Sequence, residues 1–256
     1  MMPEVIIPSH KRAGKMLTHH ILPDAKVCVP ESQEDEYRKA YPHMTIITHP
    51  DSVVGLLAKR QWILDTFEDV FMVDDDIIGM RNLVKEMGTP RSEMYVKGDM
   101  LMAIIERARD TAEQLGAYLY GFTDMANPLM YDGRKPFNLT GYVRGSTMGI
   151  RKGSKLWFNT DITTCGGLWV SLLNAYHHRI AFRDARYGAH IKDTGTALGG
   201  MSDYRTEAAY IRDREILEEF FGRDAVKEKQ PVRTKAGKEV IGIYSKNNIT
   251  LGRIPW

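Results

Sequence analysis

Three consecutive aspartates, Asp74, Asp75 and Asp76, directly follow the apolar run VFMV at positions 70–73. If a strand continues through them, alternate side chains share a face, so Asp74 and Asp76 would point together and Asp75 away. Neighbouring carboxylates repel one another, and a divalent cation bound to their oxygens would relieve that repulsion. Hard oxygen ligands suit Mg²⁺ or Mn²⁺. The triplet therefore predicts a metal site at a strand end, and an acidic turn that caps the next helix is the alternative interpretation.

The loop after the first apolar run carries a second group of reactive side chains. Its sequence SHKR supplies a hydroxyl, an imidazole and two cations, from Ser9, His10, Lys11 and Arg12. Such groups suit a nucleotide whose diphosphate lies nearby. The loop is not a phosphate-cradling P-loop, because the Gly-x4-Gly-Lys-Ser/Thr pattern is absent. A solvated basic loop is the alternative interpretation.

Among the eight histidines, His190 is the one that the sequence places near a possible ligand. It follows a strand-like stretch at 182–187 and precedes a glycine-rich stretch at 194–201. In that position it could complete a metal shell that two aspartates begin, or it could be an ordinary loop histidine. The pairs at 19–20 and 177–178 have no histidine four residues away, which favours packing or surface roles for them.

These side chains depend on the elements around them, and the first third of the chain alternates apolar runs with helical patterns. Four β-branched runs predict strands at 5–7, 26–29, 44–47 and 70–73, and the segments 31–39 and 55–67 predict helices. On the second helix the apolar residues share one face, with Lys59 and Arg60 elsewhere. Strands separated by helices indicate an α/β fold with a mainly parallel central sheet flanked by helices. Ligands of such sheets bind beyond the carboxyl ends of the strands, where the aspartates fall.

The rest of the chain is less regular. Its patterns predict helices at 100–115, 167–178 and 202–221, the last closed by Gly222, and strands at 118–122, 142–144 and 180–182. No repeat or linker-like composition divides the chain, so we expect one domain over 1–256. Within it, 1–80 would be the nucleotide-binding half, 81–222 the acceptor half and 223–256 a basic tail.

Composition excludes several classes of protein. With 256 residues, 43% hydrophobic and 27% charged, the chain resembles an average globular protein, and a net charge of +2 gives no global polycation. The two cysteines, Cys28 and Cys165, cannot build a disulfide framework or a four-thiolate zinc site. No signal-like start and no long apolar run is visible, so we expect a soluble protein of the cytoplasm.

The last 34 residues, 223–256, are locally basic. They contain eight Lys or Arg and three acids, a local excess of +5, with Tyr244, Trp256 and two asparagines interleaved. Such a tail could follow a phosphate backbone, or it could be solvated without a partner. The basic positions are 223, 227, 229, 233, 235, 238, 246 and 253.

The order of these parts resembles the GT-A fold glycosyltransferases. The resemblance rests on the segments IIPSHKR, VCVPESQEDEY, GLLAKRQWILD and VFMVDDDI over residues 4–80, and it continues more loosely through SLLNAYHHRIAFRDARYGAH and GGMSDYR to about residue 205. More narrowly, the chain is similar to the phage-encoded glycosyltransferases found beside TET-type oxygenases, which modify hydroxymethylated pyrimidines in DNA. The cytoplasm would then be that of the phage host.

The resemblance implies roles for individual residues. The aspartate triplet would be the DxD motif, in which Asp74 and Asp76, with His190 as the last protein ligand, hold Mn²⁺ or Mg²⁺ at the diphosphate of a UDP-sugar or related donor. The residues implied to bind the donor are Pro8, Ser9, Lys11, Arg12, Arg60, Asp74 and Asp75. Apart from the resemblance, we expect the glycine-rich loop 192–205 to close over the donor, with Tyr204 and Arg205 at its end as candidate phosphate contacts.

The identity of a catalytic base is the point at which the sequence departs from the resemblance. Many of these enzymes carry an acidic pair at the start of the helix that matches 167–178, where this chain has Gly166-Gly167. For an inverting reaction Asp161 is the first candidate base and Asp124 the second. A retaining reaction would need no dedicated base.

Several functions stay open at this point. The resemblance implies sugar transfer to a hydroxymethylated pyrimidine of DNA, with Tyr142 or Trp157 supporting a base outside the stack. The first alternative is a GT-A enzyme acting on a glycan, a lipid or a small molecule. A metal-dependent nucleotidyltransferase or nuclease is a third interpretation, and a non-enzymatic DNA-binding module would not explain three adjacent acids.

Overall fold

The computed structural model describes residues 2–84, 88–123, 126–191, 206–228, 232–233, 239–240 and 243–245. Ten strands build its main sheet: β1 (Glu4–Pro8), β2 (Lys26–Pro30), β3 (Thr45–His49), β4 (Val70–Val73), β5 (Ile77–Asn82), β6 (Tyr95–Val96), β7 (Leu119–Thr123), β8 (Phe137–Asn138), β9 (Thr147–Ile150) and β10 (Ala181–Ile191). The α-helices are α1 (Glu34–Ala40), α2 (Leu56–Phe67), α3 (Asp99–Gln114), α4 (Gly166–His177) and α5 (Glu207–Phe221). In the tail, β11 (Val226–Glu228) pairs with β14 (Ile243–Ser245), and β12 (Val232–Arg233) with β13 (Glu239–Val240).

The main sheet is mixed. Its order is β3-β2-β1-β4-β9-β7-β10-β5-β6, with β8 paired to β10. Strands β3, β2, β1 and β4 are parallel neighbours, and β9 is antiparallel to both β4 and β7. Therefore β7 runs in the direction of β4, and the carboxyl ends of β1, β4 and β7 share one edge of the sheet. This edge carries the aspartate triplet.

Helices cover both faces of the sheet. One apolar cluster contains side chains of α2, α4 and α5, among them the buried Trp169, and the other contains side chains of α1 and α3, among them the buried Tyr37. Two helical layers around a sheet with parallel strands confirm the expected α/β class. Among the described residues, none of the helices combines the length and apolar character needed to cross a bilayer.

The four strands and two helices predicted in the first third are confirmed, although the helix expected at 31–39 begins as a short 3₁₀ turn and becomes α1. The strand predicted at 142–144 is wrong. The backbone there is bound by side chains instead: Val143 N donates to Ser171 Oγ at 3.0 Å, and Arg183 donates to the carbonyl of Tyr142 at 3.0 Å. The ladder with β4 and β7 is made by β9.

Two strands differ from the sequence prediction. β5 begins directly after the aspartates and was not predicted. The short strand expected at 180–182 is the beginning of β10, which has 11 residues. β10 pairs with β7 through its first part and with β5 through its second, with irregularities in the register. Pairings over such distances in the chain leave no local signal.

A buried carboxylate connects α5 to the start of α4. Asp213 on α5 is fully buried, and it accepts hydrogen bonds from the backbone N–H groups of Thr163, Thr164 and Cys165 at 2.8, 2.6 and 2.9 Å. The Thr164 hydroxyl donates to the same carboxylate at 2.6 Å. The segment that leads into α4 is therefore fixed by a side chain from another helix.

We predict that Asp213→Ala lowers the free energy of unfolding by at least about 3 kcal/mol, because it leaves several buried donors without an acceptor. Urea unfolding followed by circular dichroism measures this change. Glu219→Ala, on the exposed face of the same helix, is the control and should stay within about 0.5 kcal/mol. Equal effects of both variants would contradict this role of Asp213.

Candidate functional site

The aspartates do not continue the strand. β4 ends at Val73, and the next residues form a turn that leads into β5. The alternation expected for Asp74 and Asp76 therefore does not apply. The backbone of the turn is held on two sides: Asp74 N donates to the carbonyl of Ser146 at 3.0 Å, and the Thr18 hydroxyl donates to the carbonyl of Asp74 at 2.6 Å. Each carboxylate consequently has its own surroundings.

Asp74 is paired with Arg60 of α2. The two side chains form an ion pair at 2.5 Å, and the guanidinium is almost completely buried. Lys59 and Arg60 were expected away from the buried face of this helix, and the structure corrects this, because both are buried and directed to the carboxyl edge. This position is compatible with the role that the resemblance implies for Arg60, beside a sugar diphosphate. That role stays a prediction.

Gly145 leaves room for this guanidinium, because a Cβ there would lie 2.8 Å from Nη1 of Arg60. Gly167, at the start of α4, packs against Gly145 in turn, and a Cβ on it would lie 3.0 Å from the backbone nitrogen of Gly145. Small residues at both positions therefore allow the start of α4 to approach the segment beside Arg60.

Asp75 is bound by the loop after β1. The Ser9 hydroxyl donates to its Oδ2 at 2.5 Å, and Nη1 of Arg12 lies 3.3 Å from its Oδ1. Burial raises the pKa of Asp75, and Arg12 and Ser9 counteract that rise. Tyr37 supports the loop, with its hydroxyl 2.8 Å from Ser9 Oγ. The aspartate that was expected to point away is therefore the one that organises the predicted nucleotide loop.

Lys59 is a buried cation that the sequence interpretation did not assign to the site. Its ammonium donates to the carbonyl of Ser9. Burial lowers the pKa of Lys59 to about 8. The sequence signal that could have indicated the burial of Lys59 is a pair of adjacent cations on a helix whose other inward positions are apolar. Lys59 thus holds the same loop that binds Asp75.

Asp76 retains an unsatisfied oxygen. Its Oδ1 is buried and has no hydrogen-bond partner in the structure. Burial, followed by repulsion from Asp74 and Asp75, raises the pKa of Asp76 to about 6. A buried carboxylate oxygen beside two further carboxylates fits Mg²⁺ or Mn²⁺, which accept oxygen ligands.

The structure does not bring the three predicted metal ligands together. Within the described ranges, no three His, Cys, Asp or Glu side chains lie close enough to hold a metal ion. Mg²⁺ is commonly bound by one or two carboxylates together with phosphate oxygens of a substrate. The chemistry of the site therefore fits an ion held by Asp76 and Asp74 together with a diphosphate, and His190 stays a predicted additional ligand.

His190 lies in β10, opposite Gly79 of β5. Its Nδ1 and the Tyr95 hydroxyl lie 2.5 Å apart, and Arg81 donates to the same hydroxyl oxygen at 2.8 Å. The Tyr95 ring covers Gly79, where a Cβ would lie 2.3 Å from the ring. Burial, and then the charge of Arg81, lower the pKa of His190.

The other predicted residues are only partly placed. Lys11 has an exposed side chain and a backbone φ of +53°, and its N–H donates to the side chain of Gln33 at 2.8 Å. Pro8 is buried at the end of β1, and Asp161 is exposed in the turn before α4. The residues Asp124, Tyr204 and Arg205 and most of the basic tail lie outside the described residues, as does the loop from 192 to 205.

Comparison with known proteins gives one family and a number of solved structures, of which two are described here. The family described as TET-Associated Glycosyltransferase matches residues 3–200. A crystal structure of S. aureus TarS 1-349 shares 12% identity over 72% of this chain and 59% of its own, with a TM-score of 0.46. The same protein in complex with UDP-GlcNAc shares 14% identity over 84% of this chain and 65% of its own, with a TM-score of 0.49. This chain thus spans about three fifths of TarS 1-349. No curated protein matches it in sequence.

We predict that neutral His190 carries its ring proton on Nε2. Arg81 already donates to the Tyr95 oxygen, so the phenolic hydrogen is directed to Nδ1. Nitrogen-15 NMR of the histidine rings at pH 7.5 should show an acceptor-type Nδ1, and Tyr95→Phe should change the chemical shift of Nδ1, because it removes the hydrogen bond to this atom. Metal binding at Nε2 would need the opposite tautomer, with Tyr95 accepting.

Tyr176→Phe is the matched control, because Tyr176 lies beside His177 instead. A protonated Nδ1 in the unmodified protein, or the same spectrum in Tyr95→Phe, would contradict the assignment.

Proposed function

The chain belongs to the TET-associated glycosyltransferase family, and from this membership we propose that it transfers a sugar from a nucleoside-diphosphate sugar, most simply a UDP-sugar, to a hydroxymethylated pyrimidine in DNA. The observation that supports the donor half is the aspartate turn at the carboxyl edge, where the buried Oδ1 of Asp76 has no partner. The description of the family, with its association to TET enzymes, supports the acceptor half.

The part of the proposal that concerns the sugar donor rests on the charge that develops during the reaction. When the bond between the anomeric carbon and the phosphate breaks, negative charge develops on the leaving diphosphate. Arg60 and Lys59 are fixed by buried contacts at this edge and would stabilise that charge without reorganising. A divalent cation, when bound, stabilises the same leaving group as a Lewis acid. The nucleoside would lie against the loop of Ser9 and Arg12, which Asp75 holds in place.

The acceptor half requires a hydroxyl to reach this edge. In an inverting transfer a carboxylate takes the hydroxyl proton. Asp161 is exposed before α4 and is the first candidate, and Asp124 is the second. Asp213 is unsuited to this role, because it is fully buried and already accepts four hydrogen bonds. In a retaining transfer the leaving phosphate accepts the proton instead.

One assay separates this proposal from its alternatives. The protein is incubated with Mn²⁺, a set of UDP-sugars and other nucleotide sugars, and duplex or single-stranded DNA that contains hydroxymethylcytosine or hydroxymethyluracil. Release of nucleoside diphosphate that depends on the modified base, with a matching increase in DNA mass, supports the proposal. Release that depends only on added glycans or lipids indicates another acceptor, and release of pyrophosphate indicates nucleotidyl transfer.

We predict that Asp76→Asn lowers the transfer rate at least about 100-fold and weakens Mn²⁺ binding in the presence of UDP, because an amide loses the charge that the ion neutralises. Steady-state rates and the Mn²⁺ signal in electron paramagnetic resonance measure the two effects. Asp24→Asn, at an exposed carboxylate elsewhere, is the control. Full activity of Asp76→Asn, or of the protein in excess chelator, would overturn the metal assignment.

We further predict that changing Lys229, Arg233, Lys235 and Lys238 together to Gln weakens DNA binding more than binding of the nucleotide sugar. Each phosphate contact that is lost should reduce the slope of log affinity against log salt by about 0.9 for duplex DNA. Fluorescence anisotropy over a series of salt concentrations gives the slope. Lys39→Gln on α1 should leave it unchanged. An unaltered slope in the fourfold variant would show that the tail does not contact DNA.

A further inference from the structure

The loop between β7 and β9 exposes several large apolar side chains. Leu129 is 82% exposed, Met130 63%, Leu139 45% and Phe137 43%. Single exposed apolar residues are common on protein surfaces, but a group of them within one short segment marks an interaction site. This loop therefore differs from an ordinary polar connection.

Both ends of the loop are tied to the candidate active site. β7 runs parallel to β4, so the loop leaves the sheet at the edge that carries the aspartates. At its beginning, Arg81 donates to the carbonyl of Ala126 at 2.6 Å, and Arg81 belongs to the strand that follows Asp76. At its end, the carbonyl of Ser146 accepts the N–H of Asp74 at 3.0 Å. Both ends of the loop are thus anchored at the edge that carries the aspartates.

The tip of the loop is held by local hydrogen bonds. Pro128, Leu129 and Met130 form a single 3₁₀ turn, in which the side chain of Asn127 accepts the N–H of Leu129 at 3.1 Å. The N–H of Met130 donates to the carbonyl of Asn127 at 3.0 Å. Because the proline and these hydrogen bonds already restrict the backbone, little conformational entropy is lost when the tip binds.

Cationic side chains follow the tip along the chain. Arg134 and Lys135 have exposed side chains a few residues further along the loop, and Arg134 is paired with Asp132. The guanidinium of Arg186, which is paired with Asp184, lies 4.8 Å from the centre of the Phe137 ring. Apolar side chains beside cations are the combination that proteins use to enter a base stack while holding its phosphates.

We propose that Leu129 and Met130 form a wedge that inserts into the base stack of duplex DNA and holds the target pyrimidine outside the helix. This inference rests on the proposed function, because it takes DNA as the acceptor. A base must leave the stack for its hydroxyl to reach the buried aspartates, and unstacking costs free energy. Apolar side chains that fill the resulting gap offset this cost. A single-stranded acceptor has no stack to open, so it does not need the wedge.

The test compares the double variant Leu129→Ala/Met130→Ala with the unmodified protein. Met100→Ala is the matched control, because Met100 on α3 is also 63% exposed. One measurement is the fluorescence of 2-aminopurine placed beside a hydroxymethylated pyrimidine in duplex DNA, which rises when the neighbouring base unstacks and needs no sugar donor. The other is the ratio of transfer rates on duplex and single-stranded DNA of the same sequence.

We expect the double variant to lose most of the fluorescence rise and to lower the rate on the duplex about tenfold or more. Its rate on the single strand, its affinity for UDP and its melting temperature should stay unchanged, as should all properties of Met100→Ala. A double variant that matches the unmodified protein in fluorescence and in rate ratio would overturn the wedge while leaving the proposed function intact.

Two other outcomes would also overturn the inference. If the unmodified protein transfers sugar to no DNA and only to other acceptors, the proposed function fails, and the wedge fails with it. If sedimentation shows a dimer that the double variant converts to a monomer, the apolar tip is a contact between two copies of this chain.

Discussion

The mutual repulsion of three adjacent carboxylates at the end of β4 is the constraint on which the rest of the site depends. Burying carboxylates without compensation is costly. Asp74 is compensated by Arg60, and Asp75 by Arg12, whereas Asp76 keeps one buried oxygen without a partner. This explains why α2 buries its two cations and why the loop after β1 folds back onto the triplet. In the proposed reaction this oxygen would bind a divalent cation that also neutralises the diphosphate.

The close packing around Arg60 has consequences for the second half of the chain. Gly145 and Gly167 must be small to leave room for the guanidinium and for the segment that binds Asp74. The segment 163–165 that leads into α4 is bound by Asp213 from α5. The packing of the last helix is thus connected to the site through this segment. An effect of a change at Asp213 on stability should be separable from an effect on catalysis.

β10 brings together residues of the candidate site that are far apart in the chain. It pairs with β7 and then with β5, and so brings His190 beside Tyr95, which is 95 residues away in the chain. Arg81 contributes to both this contact and the start of the loop that carries the apolar tip. A single arginine thus links the histidine, the strand after the aspartates and the proposed acceptor surface.

Local patterns in the sequence determined the α/β class, the first four strands, the helices between them and the place of the aspartates at a strand end, because such patterns act over a few residues. They also indicated Ser9 and Arg12 as partners of the site. Three features were decided only by the tertiary structure. They are the pairing of Arg60 with Asp74 and of Arg12 with Asp75, the burial of Lys59, and the absence of a strand at 142–144. These features depend on contacts between residues far apart in the chain. Their energies come from burial and pairing, which no local pattern records.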